Sequence, residues 1–122
     1  MRTRRIRRDF SLAGVYIIRN LTNGKVYIGS STDVLSRLRT HESQLIAGTH
    51  KIREMQDDFN ANHHFSFDVL EGQVFPRRAG HIIMSYADRR SLYRIEWENI
   101  GKFDAIEAGY NTGLINPNNG PK

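Results

Sequence analysis

The 122-residue sequence contains no cysteine. That absence excludes disulfides, zinc ribbons and thiol nucleophiles, and it fits a reducing compartment. No apolar run approaches the length that crosses a bilayer, and no stretch resembles a cleavable leader. No membrane partner is therefore expected, and the cytoplasm or the nucleoid is the expected location. There is no Gly-Lys-Ser/Thr phosphate loop, no paired-histidine zinc motif and no Gly-x-Ser-x-Gly elbow, and the five histidines are not spaced as a zinc set. Internal repeats and low-complexity tracts are missing too. From Asp9 onward the chain also lacks a net charge. Residues 1–8 hold five arginines (Arg2, Arg4, Arg5, Arg7 and Arg8) and no acid, and removing these from the 18 basic residues leaves 13 against 13 acidic ones. The whole formal excess of +5 thus belongs to an N-terminal arm. Such an arm either displaces counterions from a nucleic-acid backbone or is a solvated basic tail.

What is present fits one globular domain, with 39% apolar and 25% charged residues. The expected division is a basic arm over 1–10, a folded body over 11–113 and a tail over 114–122. Residues 13–19 and 25–29 are short β-branched and aromatic runs, and Asn23-Gly24 between them supplies the positive φ angles of a tight hairpin turn. A helix follows, capped by Ser31 or Thr32 with Asp33 in its first turn, and closed by Gly48 after Leu45 and Ile46. Ile52, Met55 and Phe59 mark a second helix over about 51–60. Phe65, Phe67 and Val69 alternate as a third strand ending near Glu71. Residues 72–88 read as irregular, and a third helix spans about 88–102. The segment from Gly109, rich in Asn, Gly and Pro, reads as loop. Strand, strand, helix, helix, strand, helix implies a small single-domain α/β sandwich with a three-stranded antiparallel or mixed sheet flanked by helices.

Three constellations could carry chemistry. Pairing Thr22 with Lys25 across a two-residue turn makes facing residue numbers sum to an odd value. Tyr16 and Tyr27 then leave the same face, shared by Lys25 and Gly29, while Val15, Ile17, Val26 and Ile28 fill the other. Strand tyrosines are in general packing residues, so the pair alone proves no site. Arg37 and His41 are neighbours at i and i+4 on the first helix, at the rim of its apolar arc. An arginine fork suits a phosphate, and a histidine can assist proton transfer or donate to an oxyanion. His50, just past Gly48, is a third residue of that kind. Glu96 falls within the apolar arc of Leu92, Ile95, Asn99, Ile100 and Phe103. An inward carboxylate needs either a metal ion or a core salt bridge.

Gly14-Val15-Tyr16, the later Tyr27-Ile28-Gly29 triplet, Arg37-x-x-x-His41, Glu96 with Asn99-Ile100, and Gly109-Tyr110-Asn111 together resemble the GIY-YIG endonuclease family. Leu45, Gly48, His50, Met55-Gln56 and Phe67 with Leu70-Glu71 resemble its intron-encoded, homing-type branch. The similarity runs over about residues 13–113. It implies a metal-dependent DNA endonuclease that hydrolyses phosphodiester bonds. Tyr16, Tyr27, Arg37, His41, Glu96 and Asn111 would be the catalytic set, with Gly29, Lys25 and His50 in support. Glu96 would bind one divalent cation, Mg²⁺ with Mn²⁺ as substitute. Arg37 would neutralise phosphoryl charge, and Tyr16 or Tyr27, near Lys25 and His41, would position or deprotonate the attacking water. Asn111 would orient the site. The implied partner is DNA, held by Arg37 and the arm, and engaged alone, as a homodimer or through a fused DNA-recognition region. The competing reading is a nucleic-acid-binding module on the same fold that does not cut.

Overall fold

The computed structural model describes residues 9–111. The expected tail and the arm arginines, Arg2, Arg4, Arg5, Arg7 and Arg8, lie outside the described residues. Seven elements follow in order: β1 (Phe10–Asn20), β2 (Val26–Ser31), α1 (Val34–Ala47), α2 (Arg53–Ala61), β3 (Phe65–Arg78), β4 (His81–Ile82) and α3 (Tyr86–Lys102). The strands form an antiparallel sheet in the order β2-β1-β3-β4.

β1 lies inside the sheet and is buried along almost its whole length, because helices cover both faces. Tyr16, Ile18 and Tyr27 point to one side, where they pack with Val34, Leu38 and Leu45 of α1 and Met55 and Phe59 of α2. Val15, Ile17, Val26 and Ile28 point to the other, against Leu92 and Ile100 of α3. The strands thus separate α1 and α2 from α3. The division of the hairpin into two faces is the one its parity predicts.

The turn that sets this parity is wider than expected. Asn20 and Lys25 close the hairpin through Asn20 N–H to Lys25 C=O at 2.9 Å, leaving residues 21–24 as the loop. Asn20 and Asn23 side chains accept from the backbone N–H groups of Thr22 and Lys25, so each forms a local turn that competes with a two-residue connection. The facing pairs become Ile18 with Tyr27 and Tyr16 with Gly29. Their sums are still odd, so the tyrosines stay on one face.

Asp33, rather than Ser31 or Thr32, caps α1, its carboxylate accepting from the Ser36 N–H at 3.2 Å. Gly48 ends the helix in the left-handed region with φ of 78°. The larger departure concerns 72–88, which is ordered. β3 continues to Arg78, and the Ala79-Gly80 pair, with φ of 52° and 81°, turns the chain into the short β4. A fourth strand therefore joins the three expected. This half of β3 is mostly exposed and shows little apolar alternation. Arg77 anchors it, reaching Asp33 at 3.2 Å and Ser11 at 3.3 Å. α3 begins earlier than expected because Ser85 and Asp88 form a capping box.

Candidate active site

The site collects where the first hairpin meets α1. Tyr16 stands opposite Gly29, and its ring lies over that glycine: a Cβ built there would fall 2.3 Å from the Tyr16 Cζ and Oη atoms. Only a residue without a side chain leaves room for the phenol to reach the outer edge of β2. Gly14 answers a similar constraint, since a Cβ there would meet the Glu71 carbonyl at 2.2 Å. This closeness accompanies a register shift in the β1–β3 pairing between Val15 and Tyr16.

Tyr16 Oη is hydrogen-bonded to His41 Nε2 at 2.7 Å, and His41 Nδ1 to His50 Nε2 at 2.7 Å. The Tyr16 and Tyr27 rings are tilted at 6.3 Å, and His41 lies 5.3 and 5.5 Å from them. Tyr16 and His41 are almost wholly buried, at 2% and 1% exposure. Burial chiefly, and then the neighbouring Tyr27, pushes the Tyr16 phenol well above its ordinary range, against the pull of the Arg37 guanidinium. Burial raises Tyr27 as well, with the Glu96 charge adding to it. His41 goes the other way: burial first, then Arg37 and His50, lower it to about 3. At neutral pH the free site therefore holds two neutral phenols and a neutral imidazole beside one permanent cation. Arg37 is half-buried, one helical turn before His41.

Glu96 belongs to neither the hairpin nor α1. Its helix lies on the other face of the sheet, packed on Val15, Ile17, Val26 and Ile28. The carboxylate instead meets the sheet at β2, accepting from Ser30 Oγ at 2.5 Å, one residue past the glycine beneath Tyr16. Its charge still acts on both phenols, raising each. The functional groups thus converge around an edge strand, at Gly29-Ser30. Ser30 is the residue that sequence reasoning missed, and its position beside the glycine triplet is the signal that marks it.

Two expected members stand apart from the phenols. Lys25 is half-buried, paired with Glu54 of α2 and lying 5.9 Å over the Tyr110 ring, so its charge is neutralised there. Asn111 commits its whole amide to the backbone of Ile28: Oδ1 accepts from the N–H and Nδ2 donates to the C=O, both at 2.8 Å. It fixes β2 from outside, next to a bond from the Tyr110 N–H to the Val26 carbonyl. Tyr110 is tied in turn to Asp58 at 2.6 Å and Asn20 at 3.1 Å.

These elements, in this order around a glycine-lined strand edge, define a class. The chain belongs to the GIY-YIG family, whose catalytic domain it matches over residues 12–111. Among curated relatives it is similar to intron-associated endonuclease 1 of Enterobacteria phage T4, at 37% identity over 60 residues, which is 48% of this chain and 24% of the relative. The match thus spans about a quarter of that protein's length. Among solved structures it is similar to the catalytic domain of the homing endonuclease I-TevI, at a TM-score of 0.65 and 26% identity, covering 83% of this chain and 98% of that one. A point mutant of the same domain matches at a TM-score of 0.63 and 28% identity, over 82% and 92%.

Proposed function

We propose that this chain is a divalent-metal-dependent endonuclease that hydrolyses phosphodiester bonds in DNA. The observation that carries the reading is the convergence of Tyr16, Tyr27 and His41 with Ser30 and Glu96 about one glycine, with Arg37 at its rim.

The donors suit a hard cation. Among the described residues no cluster of three His, Cys, Asp or Glu side chains occurs, so a fully protein-coordinated soft metal has no site. A buried carboxylate beside a hydroxyl offers oxygen only, and Mg²⁺ is commonly held by one or two carboxylates, its other positions left to water and phosphate. Glu96 would hold Mg²⁺, or Mn²⁺ in its place, and the ion would supply Lewis-acid charge to the scissile phosphate. Arg37, at the rim and always charged, neutralises charge growing on the phosphoryl oxygens. Tyr16 and Tyr27 would present their oxygens at the strand edge to the attacking water, and one of them would take its proton after its own phenolic proton has left to solvent, an ionisation that the Arg37 guanidinium and the bound cation favour. Lys25 takes no part in that step, and Asn111 acts by holding β2. Arg2, Arg4, Arg5, Arg7 and Arg8 would track the DNA backbone and add affinity without sequence choice. Target choice would come from a fused recognition region or a second copy, and the domain alone would cut with low sequence preference.

Plasmid nicking tests the reading. The native chain is expected to nick supercoiled DNA with Mg²⁺ and not with excess EDTA, while Glu96→Ala and Arg37→Ala each lose about 10²–10³-fold. Binding of the same DNA with no nicking under any divalent metal would favour the non-cutting module instead.

A further inference from the structure

The tautomer of a histidine is set by the hydrogen bond that its other ring nitrogen makes. Here the row of rings behind Tyr16 ends on a group that cannot titrate. The backbone N–H of Ile52 donates to His50 Nδ1 at 3.1 Å. A peptide N–H only donates, so His50 Nδ1 must offer a lone pair, and the proton of the neutral ring sits on Nε2. That nitrogen is 2.7 Å from His41 Nδ1, which must then accept. The His41 proton is left on Nε2, 2.7 Å from Tyr16 Oη. We infer that His50 is a positioning residue that, held by the Ile52 amide, fixes His41 as a hydrogen-bond donor to the Tyr16 oxygen. His41 therefore does not take the Tyr16 proton.

The rest of the structure holds His50 in place for this. Gly48 in its left-handed conformation ends α1 and brings the chain back beneath the helix. The His50 backbone N–H donates to Gln56 Oε1 at 3.0 Å, and Gln56 Nε2 is tied to the Leu45 carbonyl at 3.0 Å and to Asn60 at 2.8 Å. The two imidazoles are stacked, 5.0 Å apart and 23° from parallel. Burial lowers both, which keeps them in the neutral forms that the row requires. Reversing the row would turn a ring N–H against the Ile52 N–H, donor against donor.

In the reaction His41 acts as a hydrogen-bond donor and not as a proton acceptor. It polarises the Tyr16 oxygen, stabilises negative charge there, and leaves the phenolic hydrogen facing away from α1, toward Tyr27 and the strand edge. This last step rests on the proposed role of the phenols, whereas the tautomers do not.

The test has two independent arms. In the 122-residue chain labelled with ¹⁵N-histidine, at neutral pH with no metal or DNA added, long-range ¹H–¹⁵N correlation reads each ring directly. Both His41 and His50 are expected to show a pyridine-type Nδ1 and a protonated Nε2. A proton on His41 Nδ1 overturns the inference, whatever the chain does to DNA. In the second arm, Mg²⁺-dependent nicking is compared for His50→Phe, which removes the donor, and His50→Gln, which restores an N–H at the same reach. His50→Phe is expected to lower kcat about 10–100-fold with little change in KM, and His50→Gln to recover most of it. Equal kcat in native and His50→Phe proteins overturns the inference, and the spectrum of the native chain decides it if that variant fails to fold. Absence of nicking by the native chain, with the expected ring pattern intact, would count against the nuclease reading alone.

Discussion

A single missing methyl group determines where Tyr16 can go. Any side chain at position 29 occupies the space of the phenol, since its Cβ alone would lie 2.3 Å from the ring's Cζ and Oη. Gly29→Ala is therefore expected to destabilise the fold by about 1–3 kcal/mol, the usual cost of overpacking. It should also reduce nicking at temperatures where the variant is fully folded. Urea unfolding and nicking on the same preparation check both; unchanged activity in a stable variant would remove Tyr16's placement from the mechanism. Residue types that demand a fixed partner were the legible ones. Parity placed Tyr16 with Tyr27, helical spacing placed Arg37 with His41, and burial marked Glu96. For Lys25, spacing shows which face a long side chain leaves, not which carboxylate it finds; Glu54 lies on an element whose packing no local pattern encodes.

At the scale of elements, the sequence spoke wherever apolar residues recur with a period, and was silent elsewhere. β1, β2 and the helices carry such patterns. The later half of β3 is mostly exposed, so no alternation announces it. Its turn uses Ala79 where a left-handed position ordinarily calls for Asn, Asp or Gly, which hid the hairpin. That alanine sits at φ of 52°, a region that costs residues with a Cβ roughly 1–2 kcal/mol. Ala79→Asn, creating Asn-Gly across the turn, is expected to stabilise the protein by about 0.5–1 kcal/mol without affecting nicking. A thermal melt showing no rise would mean that the turn carries little of that strain. The side of the sheet occupied by α3 is equally illegible: an apolar arc shows that Glu96 faces a core, but which face of the sheet that arc covers depends on the path of the connecting chain, which no local pattern encodes.

For the whole molecule, two consequences of charge can be measured. His41 is held neutral down to about 3, mainly by burial, whereas an unfolded chain protonates the same ring near the ordinary histidine value of 6.5. The folded-state pKa is depressed, so the unfolded state binds the proton first. Stability is therefore full above pH 6.5 and falls as the solution is acidified toward 3. Between pH 7 and 5 this ring alone is expected to remove about 2 kcal/mol, and His50, lowered for the same cause, adds to the loss. Urea unfolding at the two pH values measures it, and a flat response would show that His41 is protonated in the fold. The second consequence concerns the arginine arm. Removing residues 1–8 takes away five positive charges, so the slope of log affinity for duplex DNA against log salt should become shallower by up to about 4–5. An unchanged slope would place the arm off the DNA.

The clasp of Asn111 on Ile28 has a bearing beyond catalysis. β2 borders the sheet, and such a border offers unpaired peptide groups to any passing strand. The side-chain amide of Asn111 imitates a neighbouring peptide, engaging both the donor and the acceptor of Ile28, while the Tyr110 N–H occupies the carbonyl of Val26. At the opposite border the two-residue β4 covers only Arg77 and Arg78 of β3. The segment that closes the family motif thus also covers peptide groups that this border would otherwise leave open to another strand.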